Sequence, residues 1–159
     1  MKTLIIGIGN EFRGDDQIGL EIVKQAMERF PNENVDYVLS SGEPTHLLEK
    51  LRESDRVMIV DAVSVSEGDS GTLYEINPLS EDRFLDEFRS STHVMGLRDA
   101  LKLAEVLGDA PKSVQILGIG GSKFDFGQTA SSVVLKAIPE ALLRLRRWIE
   151  SDESEISEH

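Results

Sequence analysis

The chain has 159 residues, a formal net charge of −12 and no cysteine. That length suits one domain with a full core, and the missing thiols exclude disulfides, thiolate metal sites and cysteine nucleophiles together. The acidity argues against nucleic acid or an anionic membrane as partner, because like charges repel, and suits a cation or a basic polypeptide as well as simple solubility.

No run approaches the ~18 apolar residues of a membrane span. Met1-Lys2-Thr3 leads directly into a short apolar run, so no signal peptide is expected and the expected location is cytoplasmic. Residues 3–8 are continuously aliphatic, the pattern of a strand buried on both faces. The period then changes: Ile18, Ile22, Ala26 and Phe30 share a face, predicting a helix over about 15–30 with Asp15 and Asp16 in its cap and first turn. Val35–Ser40 predicts a second strand. Pro44, a good first helical residue, opens a short helix with Leu47, Leu48 and Leu51 inward.

Arg56–Val60 predicts a third buried strand running straight into Asp61. A loop over 64–71 leads to an alternating strand over 71–77. Its connection is too short for a crossover helix, so it is expected to run antiparallel. A short charged helix is expected over about 79–89, where Glu81, Asp82, Asp86 and Glu87 read as a solvated face that could also meet a basic extension. The hydroxyls of Ser90, Ser91 and Thr92 precede His93 and a helix over about 94–107. Val114–Ile119 predicts the last strand, closed by Gly120-Gly121 and a loop over 122–128. One helix is expected over about 130–149, with Val134, Ile138, Ala141, Leu145 and Trp148 on one stripe. Residues 151–159 contain no basic side chain apart from His159 and are expected to be a disordered acidic tail. Residues 1–150 therefore read as one α/β domain: a three-layer α/β/α sandwich on a mixed, largely parallel sheet of about five strands.

Gly7-Ile8-Gly9 invites a dinucleotide reading, but the third glycine of that fingerprint would fall at Phe12, and no Lys-Ser/Thr of a P-loop follows. The glycines are sufficiently explained by a tight turn, which Asn10 could brace with its side chain. Capping explains one of Asp15 and Asp16 but not both. His46, beside Leu47, reads as structural. Asp16, Asp61 and His93 supply two oxygen ligands and one nitrogen ligand from three strand ends that could converge on the sheet's C-terminal edge. Such a donor set suits nickel, zinc or manganese.

The order Gly7-x-Gly9-Asn10-x-x-x-x-Asp15-Asp16-x-x-Gly19, then Val60-Asp61-Ala62, Ser91-Thr92-His93 and Leu117-Gly118-Ile119, resembles the nickel–iron hydrogenase maturation endopeptidases. The resemblance extends to about residue 149. Gln17 departs from it, standing where many members carry glycine. The resemblance implies an α/β/α fold with a mixed sheet, and removal of a C-terminal extension from a hydrogenase large-subunit precursor after nickel insertion. It implies that Asp16, Asp61 and His93 are the metal-interacting and catalytic residues. Nickel would arrive on the precursor as the recognition element, with thiolates there supplying further ligands; the free protein could hold another divalent ion such as zinc or cadmium. The expected partner is that precursor, and the expected state is a monomer.

For the chemical step two routes remain open: the metal polarises the carbonyl or activates water, or it only positions the substrate while Asp16 or Asp61 serves as base. Two other functions fit parts of the pattern. A non-cleaving, nickel-dependent chaperone would use the same three ligands. A receiver-type phosphoacceptor domain would also place an acid pair after its first strand and an aspartate after its third. It leaves His93 unexplained, however, and expects its acids closer to the strand end than Asp15 and Asp16 stand.

Overall fold

In the computed structural model, which describes residues 2–78 and 92–157, with the side chains of 92–95 and 152–157 outside the description, five strands form one sheet. The elements are β1 (Thr3–Ile8), a 3-10 turn (Gly14–Gln17), α1 (Ile18–Arg29), β2 (Val35–Ser40), α2 (Pro44–Arg52) and β3 (Arg56–Ser64). They continue with a 3-10 turn (Glu67–Asp69), β4 (Leu73–Ile76), α3 (Thr92–Val106), β5 (Ser113–Gly121), α4 (Ser132–Leu135) and α5 (Ile138–Ser157). The spatial order is β2-β1-β3-β5-β4. All neighbours are parallel except β4, which pairs antiparallel with β5. The mixed sheet and the antiparallel fourth strand are as the sequence predicts.

Strand alternation builds two cores. Met58, Val60 and Ala62 of β3 face Ile18, Ile22, Leu145 and Trp148 of α1 and α5. Val57, Ile59 and Val63 face Leu47, Leu51, Leu97 and Leu101 of α2 and α3. Helices on both faces make the three layers. Asp61 shares the parity of Val57, Ile59 and Val63, so it stands on the α2/α3 face. Among the described residues no helix is long and apolar enough to cross a membrane.

Five expectations are corrected. Asp15 and Asp16 lie in the 3-10 turn before α1, because the Asp15 carboxylate is engaged elsewhere, as described below. β3 continues past Asp61 to Ser64 because β5 pairs with it through Ser64–Gly121. Gly120 and Gly121 belong to β5, since without side chains they allow Asp69 and Asp15 to lie directly against that strand. The final helix is two: Pro139 has no N–H and its ring would clash with the carbonyl of Leu135, where α4 ends. α5 then runs to Ser157, beyond the expected end near 149 and into the stretch expected to be a disordered tail. The helix expected over 79–89, with its acidic residues, and the hydroxyls of Ser90 and Ser91 lie outside the described residues.

Candidate active site

The turn after β1 is built by backbone fitting closely to backbone. A Cβ on Gly9 would lie 2.1 Å from the carbonyl oxygen of Asp16, so no larger residue fits there. The next amide, Asn10 N–H, donates to that same oxygen at 3.3 Å, and Gly9 N–H donates to Ser40 O at 3.1 Å. Asn10 braces the turn as predicted, its Oδ1 accepting from Phe12 N–H at 2.9 Å. A Cβ on Gly19 would lie 2.5 Å from both Ile8 O and Val60 O, so this glycine lets α1 sit directly on β1 and β3. Asp16 is thereby held by its main chain at the end of β1. It is 7% exposed and lines a cleft of about 750 Å³ between the 9–13 turn and the 39–43 segment.

Asp15 points the other way and is fully buried. Its Oδ2 accepts from the amides of Ser122 and Lys123 at 3.0 Å each, and its Oδ1 accepts from the amide and hydroxyl of Ser131 at 2.8 Å. Its own N–H donates to Lys123 O at 2.8 Å. Burial pushes its pKa up, but the hydrogen bonds from Ser131, Lys123 and Ser122 outweigh that and hold it below the ordinary aspartate value. Neither aspartate makes a helix cap. The Asp15 carboxylate thus satisfies three backbone amides of the loop after β5.

Asp61 is 4% exposed, in the β3 segment that pairs with Gly118 of β5. The 3-10 turn carrying Asp16 packs against β3. Asp16 therefore follows the C-terminal end of β1, and Asp61 lies in the adjacent parallel strand just past the point where its pairing with β1 ends at Gly7 and Val60, on the side of the sheet where open α/β folds place their sites. His93 lies in the first turn of α3, one helical turn before Gly96. A Cβ on Gly96 would meet Gly42 O at 3.0 Å, so the start of α3 abuts the segment that walls the Asp16 cleft. The His93 side chain is outside the described residues. Among the described residues, no cluster of three His, Cys, Asp or Glu side chains forms a metal site. Two buried carboxylates are an incomplete oxygen set that suits a divalent ion bringing other ligands with it.

His46 is tied into the cleft wall rather than facing its centre: its Nδ1 lies 3.1 Å from Ser40 Oγ, which also accepts from Gly42 N–H at 3.0 Å. Glu43 caps α2, accepting from Thr45 and His46 amides, and these bonds hold its pKa low. Two features escape a reading of the sequence. One is the Asp15 clamp, whose partners lie more than a hundred residues away. The other is a pair of exposed aromatic rings, Phe12 and Phe126, with centroids 6.2 Å apart.

Residues 20–148 match the family described as hydrogenase maturation protease. The hydrogenase expression/formation protein HupD of Thiocapsa roseopersicina is 28% identical over 144 residues, covering 89% of this chain and 64% of HupD, so this chain spans just under two thirds of that relative. The hydrogenase 2 maturation protease of Escherichia coli is 25% identical over 151 residues, with 92% of each chain covered. Among solved structures, the hydrogenase maturating endopeptidase HybD from E. coli superposes with a TM-score of 0.82 at 23% identity, covering 96% of this chain and 94% of that one. The maturation protease HybD from Thermococcus kodakarensis gives 0.71 at 22% identity, over 93% and 99%. These superpositions establish the shared fold.

Proposed function

The chain belongs to the hydrogenase maturation protease family, and from that premise we propose that it is an endopeptidase. Its substrate is the large-subunit precursor of a nickel–iron hydrogenase, from which it removes a C-terminal extension once nickel has been inserted. The observation that carries this reading is the presence of two buried carboxylates, Asp16 just after β1 and Asp61 in the adjacent β3, the first of them lining a cleft of about 750 Å³.

Nickel is cargo of the precursor in this reading. Bound there, it supplies a fixed positive centre that the incomplete ligand set Asp16, Asp61 and His93 recognises. The enzyme then discriminates loaded from empty precursor, because the nickel ion brings a positive centre that carboxylates and an imidazole can ligate and the empty precursor brings none. Asp16 lines the cleft and is the better placed base: a water oxygen attacks the scissile carbonyl carbon while Asp16 takes its proton at a carboxylate oxygen. That proton passes to the departing amide nitrogen as the C–N bond breaks. Asp61, on the strand, orients the group recognised. The reading places the enzyme in the cytoplasm as a monomer.

Intact-mass analysis of the host's precursor, incubated with the protein with and without nickel, tests this. One C-terminal cut that requires nickel is the expected result. Stable association without a cut would favour the chaperone, which the same three residues would serve.

A further inference from the structure

The mechanism above makes no use of the most exposed aromatic surface among the described residues. Phe126 is 77% exposed and Phe12 58%, against each other at an interplanar angle of 39°. Exposed rings on a loose loop would carry little meaning, but this pair is held from beneath. Gly127 N–H donates to Phe12 O at 2.7 Å, and Gly14 N–H donates to Gln128 O at 3.0 Å, with Gln17 Nε2 on that same carbonyl at 2.9 Å. Arg13 Nε donates to Phe124 O at 3.3 Å. The root of the 122–131 loop is pinned by the Asp15 carboxylate. The rings therefore protrude from two segments bonded into one unit, so an interaction with them costs little ordering.

The position of the pair indicates its occupant. Phe12 is itself a wall of the Asp16 cleft, and so is Leu39, a third exposed apolar residue. Phe12 thus belongs both to the ring pair and to the cleft wall. A segment lying in the cleft against Asp16 shares that cleft with Phe12. We infer that Phe12 and Phe126 form a preformed docking platform for an apolar side chain of the precursor segment that enters the Asp16 cleft. This rests on the proposed processing function, and it adds the surface on which the polypeptide is held while its nickel is inspected.

The test is equilibrium binding of the nickel-loaded precursor to the full-length protein, read alongside cleavage. Phe126→Ala, at a site too exposed to disturb folding, is expected to weaken binding at least about tenfold, the lower end for an aromatic interface anchor. Phe126→Leu should recover part of the loss. Val106→Ala, at another exposed apolar position (83%) on α3, should leave affinity unchanged. If wild type cuts the precursor and Phe126→Ala binds it as tightly, the platform is overturned while the protease reading stands. If wild type binds without cutting and Phe126→Ala loses affinity, the platform stands and the protease reading falls. If wild type neither binds nor cuts, both fall. Self-association of the wild type that Phe126→Ala abolishes, with precursor affinity unchanged, would assign the pair to contact between copies instead.

Discussion

Ser131 donates to one oxygen of Asp15 through both its amide and its hydroxyl, each at 2.8 Å. The contact joins the turn after the first strand to the start of the last helical region, and with Ser122 and Lys123 it makes one carboxylate the centre of the whole site edge. Asp15→Asn would place an amide group where at least one oxygen now accepts, opposing donor to donor in a buried place. The expected cost is about 3 kcal/mol in urea unfolding, the range for breaking a buried charge-assisted network. A loss under about 1 kcal/mol would show that the loop finds other partners.

The same carboxylate has a signature in pH. Its folded pKa lies below the unfolded value of about 3.9. The stability it contributes is therefore complete above the unfolded value and is lost as pH falls through the folded one. The gap in melting temperature between wild type and Asp15→Asn should be constant from pH 7 to about 5 and begin to narrow as pH falls below about 4. A gap that stays constant down to pH 3 would mean the Asp15 charge is not what the loop amides recognise.

His93→Ala and Asp16→Asn are each expected to lower cleavage of nickel-loaded precursor by at least about 10², the lower end for losing one strong catalytic interaction. Asp16→Asn should keep its native near-UV circular dichroism, since residue 16 is held by its main chain. Near-wild-type cleavage by either variant would remove that residue from the mechanism.

Gly9→Ala puts a methyl group 2.1 Å from the Asp16 carbonyl oxygen. Backbone lies on both sides and neither can yield alone. A destabilisation of about 3 kcal/mol or more is expected, together with loss of processing. Wild-type stability in thermal unfolding would contradict the close packing of this turn.

Arg56, at the start of β3, stacks 3.7 Å from the Trp148 ring centroid and donates to Trp148 O and Ser151 Oγ. It fastens α5 to the sheet at the end opposite the site. Arg56→Ala should cost about 2 kcal/mol in urea unfolding, and Arg56→Lys should recover little of it, because a point charge cannot stack and fork together. Processing at permissive temperature should be unaffected.

Much of this fold is written in local periodicity. The aliphatic runs of β1, β3 and β5 and the stripes of α1 and α5 follow from burial on two faces or one. The antiparallel β4 followed from the length of one connection. The site was legible where a polar residue interrupts an apolar pattern, as Asp61 does. It was not legible where the partner is remote: nothing near Asp15 indicates that Ser122, Lys123 and Ser131 donate to it. The Phe12–Phe126 pair was hidden for the same reason, since two single exposed aromatics become a surface only when the chain closes between them. The break before α5 could have been read from Pro139 alone.

The grip on residue 16 has one further implication. Gly9 and Asn10 hold its carbonyl, Arg13 O receives its amide, and no part of this grip involves its carboxylate. The contacts that shape the turn at residues 9, 10, 13 and 16 thus run through the main chain, which every residue type shares. A lineage could therefore vary the side chain at position 16 while these backbone contacts keep that position in the wall of the cleft.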